Sequence, residues 1–121
     1  MFDHFGVIVR DAAASRAFYA KALAPLGVAV AKEFAGHCGF GRQGRAQFWI
    51  SQGAPTSPLH IAFTAASRAE VRAFYAAAIA AGAKDNGAPG LRPHYHAHYY
   101  GAFAIDPDGH NIEAVCHNPE P

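Results

Sequence analysis

The sequence is poor in the features that mark several large classes of protein. It has two cysteines, Cys38 and Cys116, far apart and without a Cys-x-x-Cys spacing. A disulfide framework is therefore not the scaffold, and two buried thiols in a reducing compartment are expected. No apolar run approaches the ~18 residues of a membrane-crossing helix. The opening Met1-Phe2-Asp3-His4 lacks the basic region and long apolar stretch of an export signal, so a cytoplasmic protein with no membrane contact is expected. Lys and Arg are scattered and the formal net charge is only +1. Without a basic run there is no electrostatic footprint for a nucleic-acid backbone, and a small, roughly neutral ligand is the expected partner.

What is present is a repeat. With 121 residues, 51% of them hydrophobic, the chain can build one domain that buries about two thirds of its unfolded surface. Arg16-Ala17-Phe18-Tyr19 returns as Arg72-Ala73-Phe74-Tyr75, and in the same register His4 returns as His60. Matches between alanines mean little in so alanine-rich a chain, which leaves His, Arg, Phe and Tyr. Two copies of one supersecondary unit can share a core, and equivalent residues then converge near the axis between them.

The first copy reads as βαβββ. Phe2 to Val9 alternates, with Phe5, Val7 and Val9 on one face and His4, Gly6 and Ile8 on the other. Asp11 caps a helix over 12–24, with Phe18, Tyr19 and Leu23 on its buried side, ending near Pro25 and Gly27. Three glycine-punctuated strands follow at 28–34, 37–42 and 46–51. The second copy starts after 53–58 with a strand at 59–65. Ser67 and Glu70 form a capping box, and Val71, Phe74, Tyr75, Ala78 and Ile79 have helical spacing up to Gly82. A weak strand near 84–91 and clearer ones at 100–105 and 111–117 complete it, the last two joined by Asp106-Pro107-Asp108-Gly109. The modules span about 1–53 and 58–117 of a single domain. The repeated Phe-Tyr pairs belong to helix packing.

Glu113 stands in the apolar strand Asn111-Ile112-Glu113-Ala114-Val115. A carboxylate there loses solvation and needs a partner, a proton or a cation. If the copies curl toward one centre, His4 and His60 enter from equivalent first strands and Glu113 from the last strand of copy two. Two imidazoles and one carboxylate suit a divalent Fe, Mn, Ni or Zn ion and leave adjacent positions for two substrate oxygens.

Asp3-His4-Phe5-Gly6-Val7-Ile8-Val9 with Phe18-Tyr19, then Leu59-His60-Ile61-Ala62-Phe63, then Ala104-Ile105-Asp106-Pro107-Asp108-Gly109-His110-Asn111-Ile112-Glu113 resemble the vicinal oxygen chelate superfamily. That superfamily includes glyoxalase I, extradiol dioxygenases and the bleomycin and fosfomycin resistance proteins. The resemblance covers nearly the whole chain and implies an α+β fold of two βαβββ modules with a curved eight-stranded mixed sheet. It also implies a metal held by His4, His60 and Glu113. Glyoxalase I has a fourth ligand on the last strand of copy one. Matching Gly44 to Gly109 sets Phe48 at the place of Glu113, and a phenyl ring cannot ligate. Gln47 can serve only if the register slips by one, which turns it to the other face unless a bulge intervenes. An open three-ligand site, closer to the dioxygenase arrangement, is therefore preferred.

Proton transfer beside such a site calls for a residue from Arg92-Pro93-His94-Tyr95-His96-Ala97-His98-Tyr99-Tyr100. Pairing Ile105 with His110 puts Tyr100 on the Glu113 face, whereas a bulge at Gly109 transfers that place to Tyr99. His94, His96 and His98 line one side if the segment is extended. Tyr100 and His96 are the catalytic candidates. Either Phe48 or Trp49, not both, can wall the pocket, and Arg10, Arg42, Arg45 and Arg92 are unranked anchors for an anionic substrate. The expectation is a homodimeric, metal-dependent enzyme of lyase, isomerase or dioxygenase type that binds a small substrate through neighbouring oxygens. The rival is a metal-free binding protein of the bleomycin resistance type. A third reading, a scaffold with a vestigial site, requires Glu113 to be paired to an arginine.

Overall fold

The computed structural model describes residues 1–120. The βαβββ order appears twice, as β1 (Phe5–Val9), α1 (Ala12–Leu23), β2 (Ala29–Phe34), β3 (His37–Gly41) and β4 (Phe48–Gln52), then β5 (His60–Thr64), α2 (Arg68–Ala80), β6 (Lys84–Leu91), β7 (Tyr100–Ile105) and β8 (Asn111–Cys116). The eight strands form two mixed four-stranded sheets of identical plan, β1-β4-β3-β2 and β5-β8-β7-β6. In each, the first strand runs parallel to the last and the remaining pairs are antiparallel. No helix among the described residues is long and apolar enough to cross a membrane.

The local chemistry follows the expected caps. Asp11 accepts from the Ala14 N–H at 3.0 Å, and Ser67 accepts from the Glu70 N–H at 3.1 Å, while the Glu70 carboxylate takes the Ala66 N–H. Each cap removes one of the unpaired amides at a helix start. A short 3-10 turn, Ala24–Leu26, closes α1 on Gly27 at φ 74°. Ile79, expected on the buried side of α2, is 36% exposed, because the helix lies on the sheet along Val71, Phe74 and Ala78.

Alternation gives each sheet an inner and an outer face. Val7, Val9, Phe48 and Ile50 of the first sheet and Ile61, Ala102, Ala104, Ile112 and Ala114 of the second join the buried faces of both helices in one core. Phe48 meets Phe63 across the two sheets at 5.5 Å between ring centroids. Each inner face packs on its own helix and the two helices on each other, and His4 and His60 fall on the opposite, outer faces of their sheets.

One turn ties the modules together. The Tyr19 hydroxyl of α1 donates to Asp106 Oδ2, in the link between β7 and β8. Asp106 Oδ1 accepts the N–H groups of Asp108 and His110 at 2.9 and 2.8 Å. Asp108 in turn accepts from the backbone and guanidinium of Arg10 and from the Ser15 hydroxyl. Both carboxylates are buried. Asp-Pro-Asp-Gly is thus a tight turn and also the clamp on which copy one docks. Gly109, at φ 91°, adds a residue to the turn, so Ile105 pairs with Asn111 and not with His110.

Burial, with Asp106 as the neighbouring charge, pushes the Tyr19 hydroxyl well above the ordinary tyrosine value of 10.0. The folded phenol holds its proton more tightly than the unfolded one, so its contribution is complete below pH 10.0 and is lost as pH climbs toward the folded value. Tyr19→Phe leaves a buried carboxylate oxygen short of a donor and should lower the unfolding free energy at neutral pH by about 1–3 kcal/mol. It should also flatten the alkaline loss of stability, both measurable by urea unfolding at a series of pH values.

Candidate functional site

Glu113 is fully buried, yet it lies on the outer face of the second sheet. Its β5 neighbour is Ala62 and its β7 neighbour is Phe103. One carboxylate oxygen, Oε1, lies 2.7 Å from His60 Nε2, and the other, Oε2, accepts the Tyr99 hydroxyl. The space for this pair comes from Gly101, where a Cβ would stand 3.3 Å from Glu113 Oε2 and 3.2 Å from the Tyr99 ring. Phe103 lies beside the His60 ring, with centroids 6.2 Å apart. Burial and the Glu113 carboxylate push the Tyr99 hydroxyl far up, so it remains a donor to Glu113.

The arginine pairing required by a vestigial scaffold is not found, since the partners of Glu113 are His60 and Tyr99. Arg92, the nearby guanidinium, lies over Phe103 at 5.4 Å and donates to the carbonyls of Gly90 and Ala88. The His60 imidazole and the Tyr99 hydroxyl are the side-chain partners of the carboxylate. An imidazole nitrogen and a carboxylate oxygen converging in this way are the donor types that divalent Fe, Mn, Ni or Zn accept, and the side-chain exposure of 55% at His60 against 1% at Glu113 sets the open side at the imidazole.

His4 lies apart from this pair. It precedes β1 on the outer face of the first sheet, with Nδ1 2.6 Å from Asp3 Oδ1, while Asp3 Oδ2 accepts from Arg45 at 3.4 Å. The hydrogen bond to His4, the largest cause, and the Arg45 guanidinium hold the Asp3 carboxyl below its usual range. A carboxylate on Nδ1 fixes the tautomer and leaves Nε2 as the ring's free lone pair, the orientation common to metal-bound histidines. His4 is not brought together with His60 and Glu113 within this chain. Among the described residues no three His, Cys, Asp or Glu side chains are grouped to hold a metal.

The place equivalent to Glu113 in copy one also differs from expectation. Gly6 stands two residues after His4 and pairs with Trp49, as Ala62 stands two after His60 and pairs with Glu113. Trp49, not Phe48, is the counterpart, and Phe48 is in the core. Matching Gly44 to Gly109 misses by one residue because the two turns differ in length. Gln47 ends just before β4, exposed, with its backbone N–H on Phe40 O. Trp49 lies across Gly39, where a Cβ would come within 2.8 Å of the indole, and with His4, Gly6, Phe34, His37 and Ser51 it lines a cleft of about 510 Å³.

The bulge at Gly109 settles the choice between the two tyrosines. With Glu113 opposite Phe103, the Glu113 face carries Tyr99, Gly101 and Phe103, so the placement of Tyr100 on that face is corrected. Tyr100 instead lies under α2, with Arg68 and Arg72 at 5.2 and 5.9 Å from its ring. The segment between β6 and β7 is not extended. Turns at Tyr95, His96 and Tyr99 fold it, and His94, His96 and His98 do not line one side. His96 is exposed, its Nδ1 accepting from the His98 N–H, with its ring 5.3 Å from that of His117. It makes no hydrogen bond to His60 or Glu113 among the described residues. The roles of Gly101, Asp3 and the His37–Ser51 pair have no sequence signal beyond residue type.

Tyr99→Phe should destabilise the fold by about 1–3 kcal/mol by stripping a donor from a buried carboxylate. Tyr100→Phe should cost under about 0.5 kcal/mol. Chemical denaturation of both variants checks the register directly.

Comparison with known proteins agrees with this architecture. The Glyoxalase/Bleomycin resistance protein/Dioxygenase superfamily model matches residues 1–114. A glyoxalase/bleomycin resistance protein from Albidiferax ferrireducens T118 superposes with a TM-score of 0.82 at 29% identity, covering 95% of this chain and 97% of that one. A glyoxalase/bleomycin resistance protein/dioxygenase family enzyme from Burkholderia phytofirmans PsJN gives a TM-score of 0.72 at 19% identity over 93% and 95% of the two chains. A glyoxalase-related enzyme from Fulvimarina pelagi gives 0.71 at 20% over 92% and 84%. At such identities the last two speak for the fold alone. No curated protein matches the chain. With the paired βαβββ modules and the family match over almost its full length, the chain belongs to the glyoxalase/bleomycin resistance protein/dioxygenase superfamily.

Proposed function

We propose that the protein is a metal-dependent enzyme that binds a small substrate through two neighbouring oxygens, and that its metal site is completed by a second copy of the chain. The observation that carries this reading is the buried Glu113 carboxylate, 2.7 Å from His60 Nε2 and, among the described residues, bonded by no lysine or arginine. In this reading His60 and Glu113 come from one subunit and His4, held by Asp3, from the other. The edges that would meet carry exposed apolar side chains, Phe2, Phe5 and Ile8 around β1 and Leu59 just before β5. β1 and β5 are also the outermost strands of their sheets. A two-fold dimer that sets β1 of one copy against β5 of the other covers both patches and forms two equivalent sites.

The bound ion would supply Lewis acidity to the paired substrate oxygens. The residues of the chain do the rest. Tyr99 keeps one Glu113 oxygen occupied and so fixes the carboxylate plane, Gly101 leaves the room for that contact, and the exposed imidazole edge of His60 marks the direction of substrate entry. Lyase, isomerase and dioxygenase chemistry all fit this arrangement. The competing reading, a metal-free binding protein, is favoured by one observation: His60, Glu113 and Tyr99 already satisfy one another by hydrogen bonds.

Untagged protein purified without added metal should carry about one divalent ion per chain, and His4→Ala, His60→Ala and Glu113→Gln should each lose at least about nine tenths of it. A dimer mixed from His4→Ala and His60→Ala chains keeps one intact site and should regain about one ion per dimer. Retention of the ion by His60→Ala with unchanged affinity would falsify the enzyme reading, and a metal-free wild type supports the binding protein instead.

A further inference from the structure

The outer face of the first sheet carries a built cleft that borders His4 but whose Phe34, His37, Trp49 and Ser51 the metal reading does not use. Its floor is Trp49, the single tryptophan of the chain, laid flat over Gly39. Beside it stands Phe34, 59% exposed, its ring plane within 10° of the indole and its centroid 6.1 Å away. That separation is near the wide end for aromatic pairs, so much of both π-faces stays uncovered. Trp49 is half-buried, and an aromatic face left partly in water gains free energy when a ligand covers it.

The rim is polar and leans positive. His37 Nδ1 and Ser51 Oγ lie 2.8 Å apart on facing positions of β3 and β4, and Lys32 Nζ sits 5.8 Å from the Phe34 ring. His4 closes the other end. The two nearby carboxylates are already engaged, Glu33 by Arg16 at 2.6 Å and Asp3 by His4 and Arg45. Nothing acidic in the cleft is left to repel an anion.

From the parallel rings, the small Gly39 beneath them and the donor pair at the rim, we infer that this cleft binds a planar aromatic ring bearing a carboxylate or phenolate oxygen. The ring lies along Trp49 and Phe34, and the oxygen takes a hydrogen bond from the Ser51–His37 pair, whose mutual contact leaves one donor free. The site is contained in the first sheet of one chain and requires neither a metal nor a second copy. Copy two has no such floor, because Glu113 takes the place of Trp49 and Phe103 that of Gly39.

The lone indole reports on its own site. In chelator-treated protein, 2-naphthoate should shift the single indole N–H resonance saturably in a proton–nitrogen correlation spectrum. Cyclohexanecarboxylate, of like charge but without a π-face, should bind at least about tenfold more weakly. Trp49→Leu should reduce naphthoate affinity, read by calorimetry, by about tenfold or more. His37→Ala with Ser51→Ala should weaken naphthoate by a similar factor while leaving 2-naphthalenemethanol little changed. Gly39→Ala, which forces the indole to move without removing it, should weaken naphthoate as well. Equal affinity for the saturated acid, or unchanged naphthoate binding in Trp49→Leu, overturns the inference. Failure of metal binding at His60 and Glu113 leaves it standing, because the titration is done without metal.

Discussion

The contact on which the rest of the molecule depends is the buried clamp between Tyr19 and the Asp106-Pro107-Asp108-Gly109 turn. Two carboxylates withdrawn from water at the end of a hairpin cost free energy unless every lone pair finds a donor. Here the donors come from both modules: the Tyr19 hydroxyl, the Ser15 hydroxyl and Arg10 from copy one, the amides of Asp108 and His110 from copy two. Neither module can satisfy that turn alone. The clamp therefore fixes the docking of α1 against the β7–β8 turn and, beside it, against α2. Once the inner faces are shared, the direction of both outer faces is fixed too.

The same plan then diverges where chemistry is needed. The pair Gly39 and Trp49 in copy one corresponds by strand register to Phe103 and Glu113 in copy two. In each copy one partner is large and the other leaves it room, but the order is reversed. In copy one the small residue lies on β3 and allows an indole to lie flat. In copy two the ring lies on β7 and screens a carboxylate, which Gly101 and Tyr99 enclose further. A swap of bulk across one strand pair converts an aromatic floor into a polar half-site without changing the backbone plan.

This explains what the sequence makes legible. Strand alternation and the recurrence of His4 as His60 announce the two modules, and a glutamate in an apolar strand announces a site, because both signals are local. The weak strand over Lys84–Leu91 forms despite Gly87 and Gly90, the pairing shifting at each irregularity to absorb them. Register across a turn is not local: one bulge at Gly109 moves the Glu113 face from Tyr100 to Tyr99, and the unequal turns move its counterpart from Phe48 to Trp49. Nor does alternation say which way two sheets face each other. Whether His4 meets His60 within one chain or across a dimer is not written in the alternation either, and here their strands lie in different sheets.

The two half-sites differ in a way that follows from this geometry. Glu113 is sealed between Tyr99, Gly101 and Phe103, and His60 alone connects it to solvent, with side-chain exposures of 1% and 55%. A charge so enclosed interacts strongly with whatever approaches through the one open side, because few water dipoles remain to screen it. His4, by contrast, is held by an exposed Asp3 and lies beside an aromatic cleft. One face supplies a strong, directional field and the other supplies area. A ligand that needs both must contact the two faces together, which the proposed dimer would supply through a second subunit, whereas the proposed aromatic cleft lies on the first sheet alone.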